Sequence, residues 1–305
     1  MSELNYHLLD VFTDAPFGGN PLAVFPDADD VPTELMAKIA NELNLSETTF
    51  IQKACTEAGD CTVRIFTPAG EIPMAGHPTL GTAHAILANG LLEPKQGDHL
   101  VFDEGVGPIR VDYQLDGVTP SGLSMHQLLP EFGDVLDSAI LAQVLSLEGG
   151  DVVADLPVQV VSCGFPFILV PLRSTEAVRR AKVRPDLLES ALPPALECRE
   201  ILVFSLETER HESDVHCRMF APRLGVPEDP ATGGAHGPLG SYLFEHALCD
   251  RREIIVSEQG YEMGRPSRIT VRIEADSDKI TDVAVGGGCV AIGRGTLSVS
   301  GTSPA

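Results

Sequence analysis

Arg64-Ile65-Phe66-Thr67-Pro68 returns as Arg218-Met219-Phe220-Ala221-Pro222, 154 residues further along the chain. Both pentapeptides read as a strand ended by a proline: branched and aromatic residues favour strands, and Pro cannot continue a ladder. A Pro- and Gly-rich loop and then a helix follow each copy. Gly76-His77-Pro78 leads into 79–88, with Leu80, Ala83 and Leu87 on one face. Gly233-Gly234-Ala235 leads into 238–247, with Leu239, Tyr242, Leu243 and Ala247 apolar. A chance match of a short strand and turn is the bland alternative. The same loop and helix after both copies favour two similar halves instead. Length agrees, since 305 residues at roughly 150 per domain predict two domains.

Working outward, Tyr6 to Phe12 reads as a strand buried on both faces, and Leu22 to Phe25 as a second. Pro32 opens a helix with an apolar stripe at Leu35, Met36, Ile39, Ala40 and Leu43, stopping near Asn44. Strands are expected at 45–51, 62–67, 100–111, 157–172, 199–204, 216–220, 269–273, 280–285 and 290–292. A helical stretch is expected at 137–147, a turn at 149–151 and a frayed tail at 298–305. The expected lobes are 1–125, with about 294–305 returning to it, and 126–293.

Acidic residues number 44 against 21 basic ones, a formal charge of −23. That balance argues against nucleic acid or an anionic membrane as partner, since both need clustered Lys and Arg. It leaves room for a small anionic substrate. Trp is absent and aromatics are 5%, so no stacking platform for single strands is offered. No apolar run approaches the ~18 residues of a membrane-spanning helix. Met1 to Phe12 carries Glu3 and Asp10 and lacks the basic start of a secretory signal. The seven cysteines form no Cys-x-x-Cys pair, so the expectation is idle thiols in the cytoplasm, without disulfides or metal.

Familiar signatures fail. Gly76-x4-Gly81-Thr82 lacks the phosphate-binding Lys, and no Gly-x-Gly-x-x-Gly follows a strand. His211 and His216 are one residue too far apart for a zinc helix and read as surface and strand filler. Three polar groups remain. Glu47 beside an apolar segment reads as a strand-end residue or as a partly buried carboxyl moving a proton near neutral pH. His77 at a helix start bonds backbone or acts as acid or base. Asp229, in Glu228-Asp229-Pro230-Ala231-Thr232-Gly233, reads as a turn or cap residue. Two Gly-rich helix starts facing one cleft would bind a carboxylate through backbone N–H groups. Unaided, the residues end at a two-lobed anion site with candidate proton-transfer groups.

At these residues the sequence resembles the PhzF-like family of the phenazine-biosynthesis isomerase. Its marks are Asp10-Val11-Phe12, 17–24 (Phe-Gly-Gly-Asn-Pro-Leu-Ala-Val), 44–48 (Asn-Leu-Ser-Glu-Thr) and 64–68. Others are 75–83 (Ala-Gly-His-Pro-Thr-Leu-Gly-Thr-Ala), Gly164-Phe165-Pro166-Phe167, 218–222 and 228–233. The resemblance implies an α+β, diaminopimelate-epimerase-like fold: two pseudo-symmetric lobes, each a curved, mostly antiparallel sheet or barrel around a central helix. In related racemases paired cysteines serve as acid and base; here Gly76 and Gly233 hold those positions. The family pattern implies Glu47 as proton carrier, assisted by His77 and Asp229, with a pKa for Glu47 above the ~4.3 of free Glu. It implies substrate binding by Asn20, Gly76, Gly233 and Gly234, no cofactor or metal, and a homodimer. The implied reaction is isomerisation of trans-2,3-dihydro-3-hydroxyanthranilate. Alternatives are an epimerase or racemase using Glu47 and Asp229, or a binding protein without catalysis. Thr232-Gly233-Gly234-Ala235 departs from the family's frequent Thr-Gly-Ser-Ala.

Overall fold

The apolar alternation at the chain start becomes β1 (Ser2–Val11), paired antiparallel with β2 (Asn20–Phe25). The turn between them needs a glycine. Gly19 has φ +60, and a Cβ there would sit 2.2 Å from the Val11 carbonyl oxygen. This is a computed structural model, and it describes residues 2–117, 119–249 and 254–299.

Helix α1 (Thr33–Leu43) starts after Pro32, buries Met36, Ile39 and Ala40, and ends at Asn44 in the left-handed region. It leads into β3 (Glu47–Lys53), parallel to β2. Next come β4 (Cys61–Thr67), antiparallel to β3, and the short β5 (Gly70–Ile72), antiparallel to β4. After α2 (Gly76–Asn89) the chain forms β6 (His99–Glu104), parallel to β4. Then β7 (Gly107–Asp116) and β8 (Thr119–His126) continue antiparallel. The expected strand 100–111 is therefore a hairpin, broken at 105–106 by the turn.

The second half starts with β9 (Glu131–Leu136) and α3 (Ser138–Val144), capped by the Asp137 carboxylate on the Ala139 N–H. The apolar run 157–172 is two strands, β10 (Val158–Ser162) and β11 (Pro166–Pro171), separated by Gly164 at φ +110. Helices α4 (Thr175–Arg180) and α5 (Pro185–Ser190) lead to β12 (Ile201–Ser205), parallel to β11. Strands β13 (Val215–Ala221) and β14 (Val226–Asp229) precede α6 (Gly233–Glu245). Strand β15 (Ile254–Gln259) is parallel to β13 and is followed by β16 (Ser267–Asp276) and β17 (Lys279–Gly286). The last strand, β18 (Cys289–Val299), pairs with β1 from Val11 back to Ser2. Ser298 and Val299, expected in a frayed tail, are thus ladder residues, and 300–305 lie outside the described residues.

By compactness the chain divides into Met1–Met125 with Gly287–Ala305, and His126–Gly286. The first unit's ladder runs β18-β1-β2-β3-β4-β6-β7-β8. The second runs β9-β10-β11-β12-β13-β15-β16-β17. Parallel and antiparallel neighbours fall at the same places in both. Among the described residues neither ladder closes within its unit, so each is an open sheet and the barrel alternative is set aside. The repeated pentapeptide is explained: Arg64 grips Glu71 with two bonds of 2.8 and 2.7 Å and lies over Phe66. Arg218 grips Glu228 with two bonds of 2.8 Å and lies over Phe220.

Each sheet wraps a central helix. Every residue from Gly76 to Ile86 in α2 and from Gly233 to Leu243 in α6 is buried. Helix α2 touches β18, β1, β2, β3 and β7, and α6 touches β10, β11, β16 and β17. Both start earlier than expected, α2 at Gly76 and α6 at Gly233, with Pro238 inside α6. Full burial favours helix where Gly and Pro propensities point to loop. The other sheet faces are covered by α1, against Phe25 stacked on Phe50 and Phe66 edge-on to Phe50, and by α3, α4 and α5, against Val158, Ile168, Val170, Ile201 and Val203.

Candidate active site

In the first unit, Asn20, Glu47 and His77 come together from three elements. Asn20 opens β2 and Glu47 opens β3, adjacent parallel strands. His77 is the second residue of α2, which lies close on β2. A Cβ on Gly81 would approach Leu22 Cδ2 to 2.5 Å, so the bare glycine lets the helix lie there. The Asn20 side-chain amide donates to His77 Nδ1 at 3.1 Å. His77 Nε2 lies 3.4 Å from Glu47 Oε2.

The tautomer follows. With Nδ1 accepting, the single proton of a neutral imidazole sits on Nε2, on the side of Glu47 Oε2 but too far from it for a hydrogen bond in this structure. Burial holds the ring neutral, its pKa lowered to about 3. His77 is therefore a neutral N–H donor at physiological pH. Glu47 keeps a side-chain exposure of 13%, against 2% for His77, but its Oε2, the oxygen that faces His77, is buried. Donor–acceptor distances of this length tighten when a reacting group arrives. Gly76, His77 and Thr79 begin α2, whose preceding residue, Ala75, has no side chain to cap their N–H groups.

In the second unit, Asp229 ends β14 and is buried. Its Oδ2 accepts from the Thr232 hydroxyl at 2.5 Å. Gln259, ending β15, donates to the Asp229 carbonyl at 2.7 Å and to Thr232 Oγ1 at 3.1 Å, and its own carbonyl accepts the Thr232 N–H at 3.1 Å. Gly233 and Gly234 are the first two residues of α6.

The family-model comparison matches residues 9–295 to the PhzC-PhzF family, described as phenazine biosynthesis-like protein. The chain belongs to this family. The trans-2,3-dihydro-3-hydroxyanthranilate isomerase of Pseudomonas fluorescens is 35% identical over 96% of this chain and 99% of that one. The Bacillus anthracis phenazine biosynthesis protein of the PhzF family superposes with a TM-score of 0.87 at 29% identity, covering 98% of this chain and 100% of that one. A probable proline racemase from Agrobacterium radiobacter has a TM-score of 0.69 at 10% identity, over 99% of this chain and 94% of that one. That last likeness is one of fold. With relatives of this identity and coverage named as isomerases, the PhzF-family chain is an enzyme of the isomerase class.

Within this PhzF-family fold no cysteine occupies position 76 or 233, and Cys61, Cys163, Cys198 and Cys217 are buried thiols. Burial raises the Cys163, Cys198 and Cys217 thiols to about 12 each. His211 is exposed as expected, but His216 is no filler. It is fully buried between Glu258 Oε1 and Glu262 Oε1, each at 3.0 Å. Burial alone would lower its pKa; the hydrogen bonds the ring donates to the two carboxylates prevail and raise it to about 9. Among the described residues no helix is long and apolar enough to cross a membrane. The sequence reading missed the residues that support the helix starts: Thr79, Glu104, His236 and Gln259. Thr79 lies within the family mark 75–83 but was given no role there, the other three sit in no motif, and β15, which carries Gln259, was itself missed.

Proposed function

We propose that the chain is a cofactor-independent isomerase moving a proton on a small cyclic carboxylate such as trans-2,3-dihydro-3-hydroxyanthranilate, with Glu47 as the proton carrier. The observation that supports it most is the partly exposed Glu47 side chain beside a neutral His77 N–H whose tautomer Asn20 sets. A carboxylate so placed accepts an acidic C–H proton from one ring carbon. The electron pair of that bond forms a new ring double bond as an existing ring double bond opens, and the displaced π pair takes the proton back from protonated Glu47 at another carbon. The resulting enol tautomerises to the ketone. One carboxyl reaching both carbons from one face is enough. His77 keeps its own proton throughout and stabilises the carboxylate form.

The substrate carboxylate rests on the N–H groups of Gly76 and His77, where the helix dipole favours an anion. Asp229, Gly233 and Gly234 are assigned the assisting and binding roles that the family pattern implies. Incubation of the dihydro-hydroxyanthranilate in D2O should place deuterium at the receiving carbon. Glu47→Gln should lower turnover by roughly 10²- to 10⁴-fold; unchanged turnover in that variant would overturn the assignment. Asp229→Asn tests the second unit's contribution by itself. We also place the protein in the cytoplasm as a homodimer, which light scattering checks as twice 32.5 kDa.

A further inference from the structure

Thr79 Oγ1 lies 2.6 Å from the Ala75 carbonyl oxygen and 2.6 Å from Glu104 Oε1. A hydroxyl has one hydrogen, and a backbone carbonyl only accepts. If Thr79 gives its hydrogen to Glu104, two acceptors face each other at 2.6 Å beside Ala75. If it gives it to Ala75, Glu104 must supply the other hydrogen. A single hydrogen shared between the two acceptors would weaken both contacts; two full hydrogen bonds at 2.6 Å require Glu104 to carry a proton.

The surroundings agree. Glu104 ends β6, is 8% exposed, and its Oε2 is buried with no hydrogen-bond partner. An ionised carboxylate would carry charge on that bare oxygen. Burial raises its pKa to about 8, against the smaller opposing effect of the Thr79 bond. No cation among the described residues pairs with it. On β4, Cys61 is a buried thiol, and Arg64 is spent on Glu71. On its own strand Asp103 accepts from Cys55 and Thr56, and the nearby Asp60 accepts from Lys95 and Val101 N–H groups. On β7, Arg110 bonds Asp112, and on α2 both His77 and His84 have pKa values lowered by burial.

The second half supplies an internal comparison. Counting from the helix start, Thr79 and His236 are each the fourth residue, of α2 and α6. His236 Nδ1 donates to the Thr232 carbonyl at 2.7 Å, as Thr79 donates to Ala75. Gln259 ends β15 as Glu104 ends β6, and the two strands hold the same ladder position. Gln259 braces the start of α6 with a carboxamide, which cannot ionise. A protonated carboxyl is the same shape with the same donor.

We propose that Glu104 is a positioning residue acting as a neutral acid: it donates to Thr79, Thr79 donates to the Ala75 carbonyl, and this two-bond chain fixes the first turn of α2 and His77 with it. Its catalytic consequence rests on the role proposed above for His77 and Glu47. Its protonation does not.

The test uses the full chain labelled with ¹³C at glutamate side-chain carboxyls and ¹⁵N at histidine. One carboxyl carbon should titrate near pH 8 in the wild type and vanish in Glu104→Gln. The His77 ring resonances should shift over the same range in the wild type and stay still in Glu104→Gln. If every glutamate carboxyl carbon shows the ionised shift at about pH 7, Glu104 is not a neutral acid and the proposal fails. If it titrates while His77 does not move, the positioning role fails. Turnover adds a third reading: kcat should fall in the wild type over the range in which Glu104 ionises, expected near pH 8. Glu104→Ala should lose about tenfold in kcat with little change in KM, and Glu104→Gln should restore it without the high-pH fall. Absence of turnover in every form would reject the proposed substrate and leave the two magnetic-resonance readings to decide on Glu104.

Discussion

Asn20→Asp is nearly isosteric, yet it should reverse the hydrogen-bond order around His77. The native amide donates to Nδ1 over 3.1 Å, which leaves the ring proton on Nε2, 3.4 Å from Glu47 Oε2. An aspartate can only accept, so Nδ1 must take a proton. A neutral ring would then turn a bare Nε2 lone pair toward the Glu47 carboxylate. The system escapes by adding a proton, either to the ring or to Glu47. In both cases the pairing of the Glu47 carboxylate with a neutral N–H donor is lost. A hydrogen bond to a charged group is worth about 1.5–3 kcal/mol, equivalent to roughly ten- to 150-fold in kcat. The tautomer is read directly from the ¹⁵N shifts of the His77 ring at pH 7. The wild type should show the neutral form protonated at Nε2, and Asn20→Asp a ring protonated at Nδ1. Turnover of the dihydro-hydroxyanthranilate supplies the rate. An Asn20→Asp enzyme within twofold of wild type, with the Nε2–H form intact, would refute the tautomer reasoning.

Two buried histidines make the fold acid-sensitive. Burial lowers His77 to about 3 and His236 to about 4, so each takes a proton in the unfolded chain, at about 6.5, before it does in the native one. Their contribution is present above pH 6.5 and lost as pH falls below it. Each should cost about 2 kcal/mol at pH 5, from 1.5 pH units at about 1.4 kcal/mol. Urea midpoints at pH 7 and pH 5 measure this, and equal midpoints would contradict it. His216 has the opposite sign. Its native pKa of about 9 lies above the unfolded value, so its contribution is complete below pH 6.5 and disappears as pH rises through 9. His216→Gln leaves Glu258 and Glu262 without their cation and should cost about 3–5 kcal/mol at pH 7. The variant should also lose the fall in stability between pH 7 and 9.5; a wild type with no such fall would refute the clamped imidazolium.

The repeat at Arg64 and Arg218 made the two-fold plan of the sheets legible, because each Arg serves a cross-strand Glu at the same place in its ladder. The stripe in α1 and its stop at Asn44 were equally legible, since 3.6-residue spacing and a left-handed cap leave direct marks. The starts of α2 and α6 were not. Gly76-His77-Pro78 and Gly233-Gly234-Ala235 have loop composition, and only burial inside a sheet makes helix the better conformation. The run 157–172 hid a reversal at Gly164, because both strands it joins are mainly apolar, with only Gln159 and Ser162 polar. For the site, Glu47 and His77 were found as isolated polar groups in apolar stretches. Their mutual geometry depends on β2, β3 and α2 meeting in space, which no local pattern records. Glu104 and Gln259 were invisible for the same reason, each being an ordinary residue at the end of a strand.

The pairing of β18 with β1 bears on the order of events during synthesis. Every strand of the second ladder lies within 131–286, so that unit is complete once Gly286 has left the ribosome. The first ladder still lacks its edge, since Ser2–Val11 waits for Cys289–Val299. At roughly 5–20 residues per second that wait is roughly 15–60 s. The usual vectorial sequence is thus inverted: the half translated first is the half finished last, and β1 spends the interval as an unpaired edge within reach of chaperones.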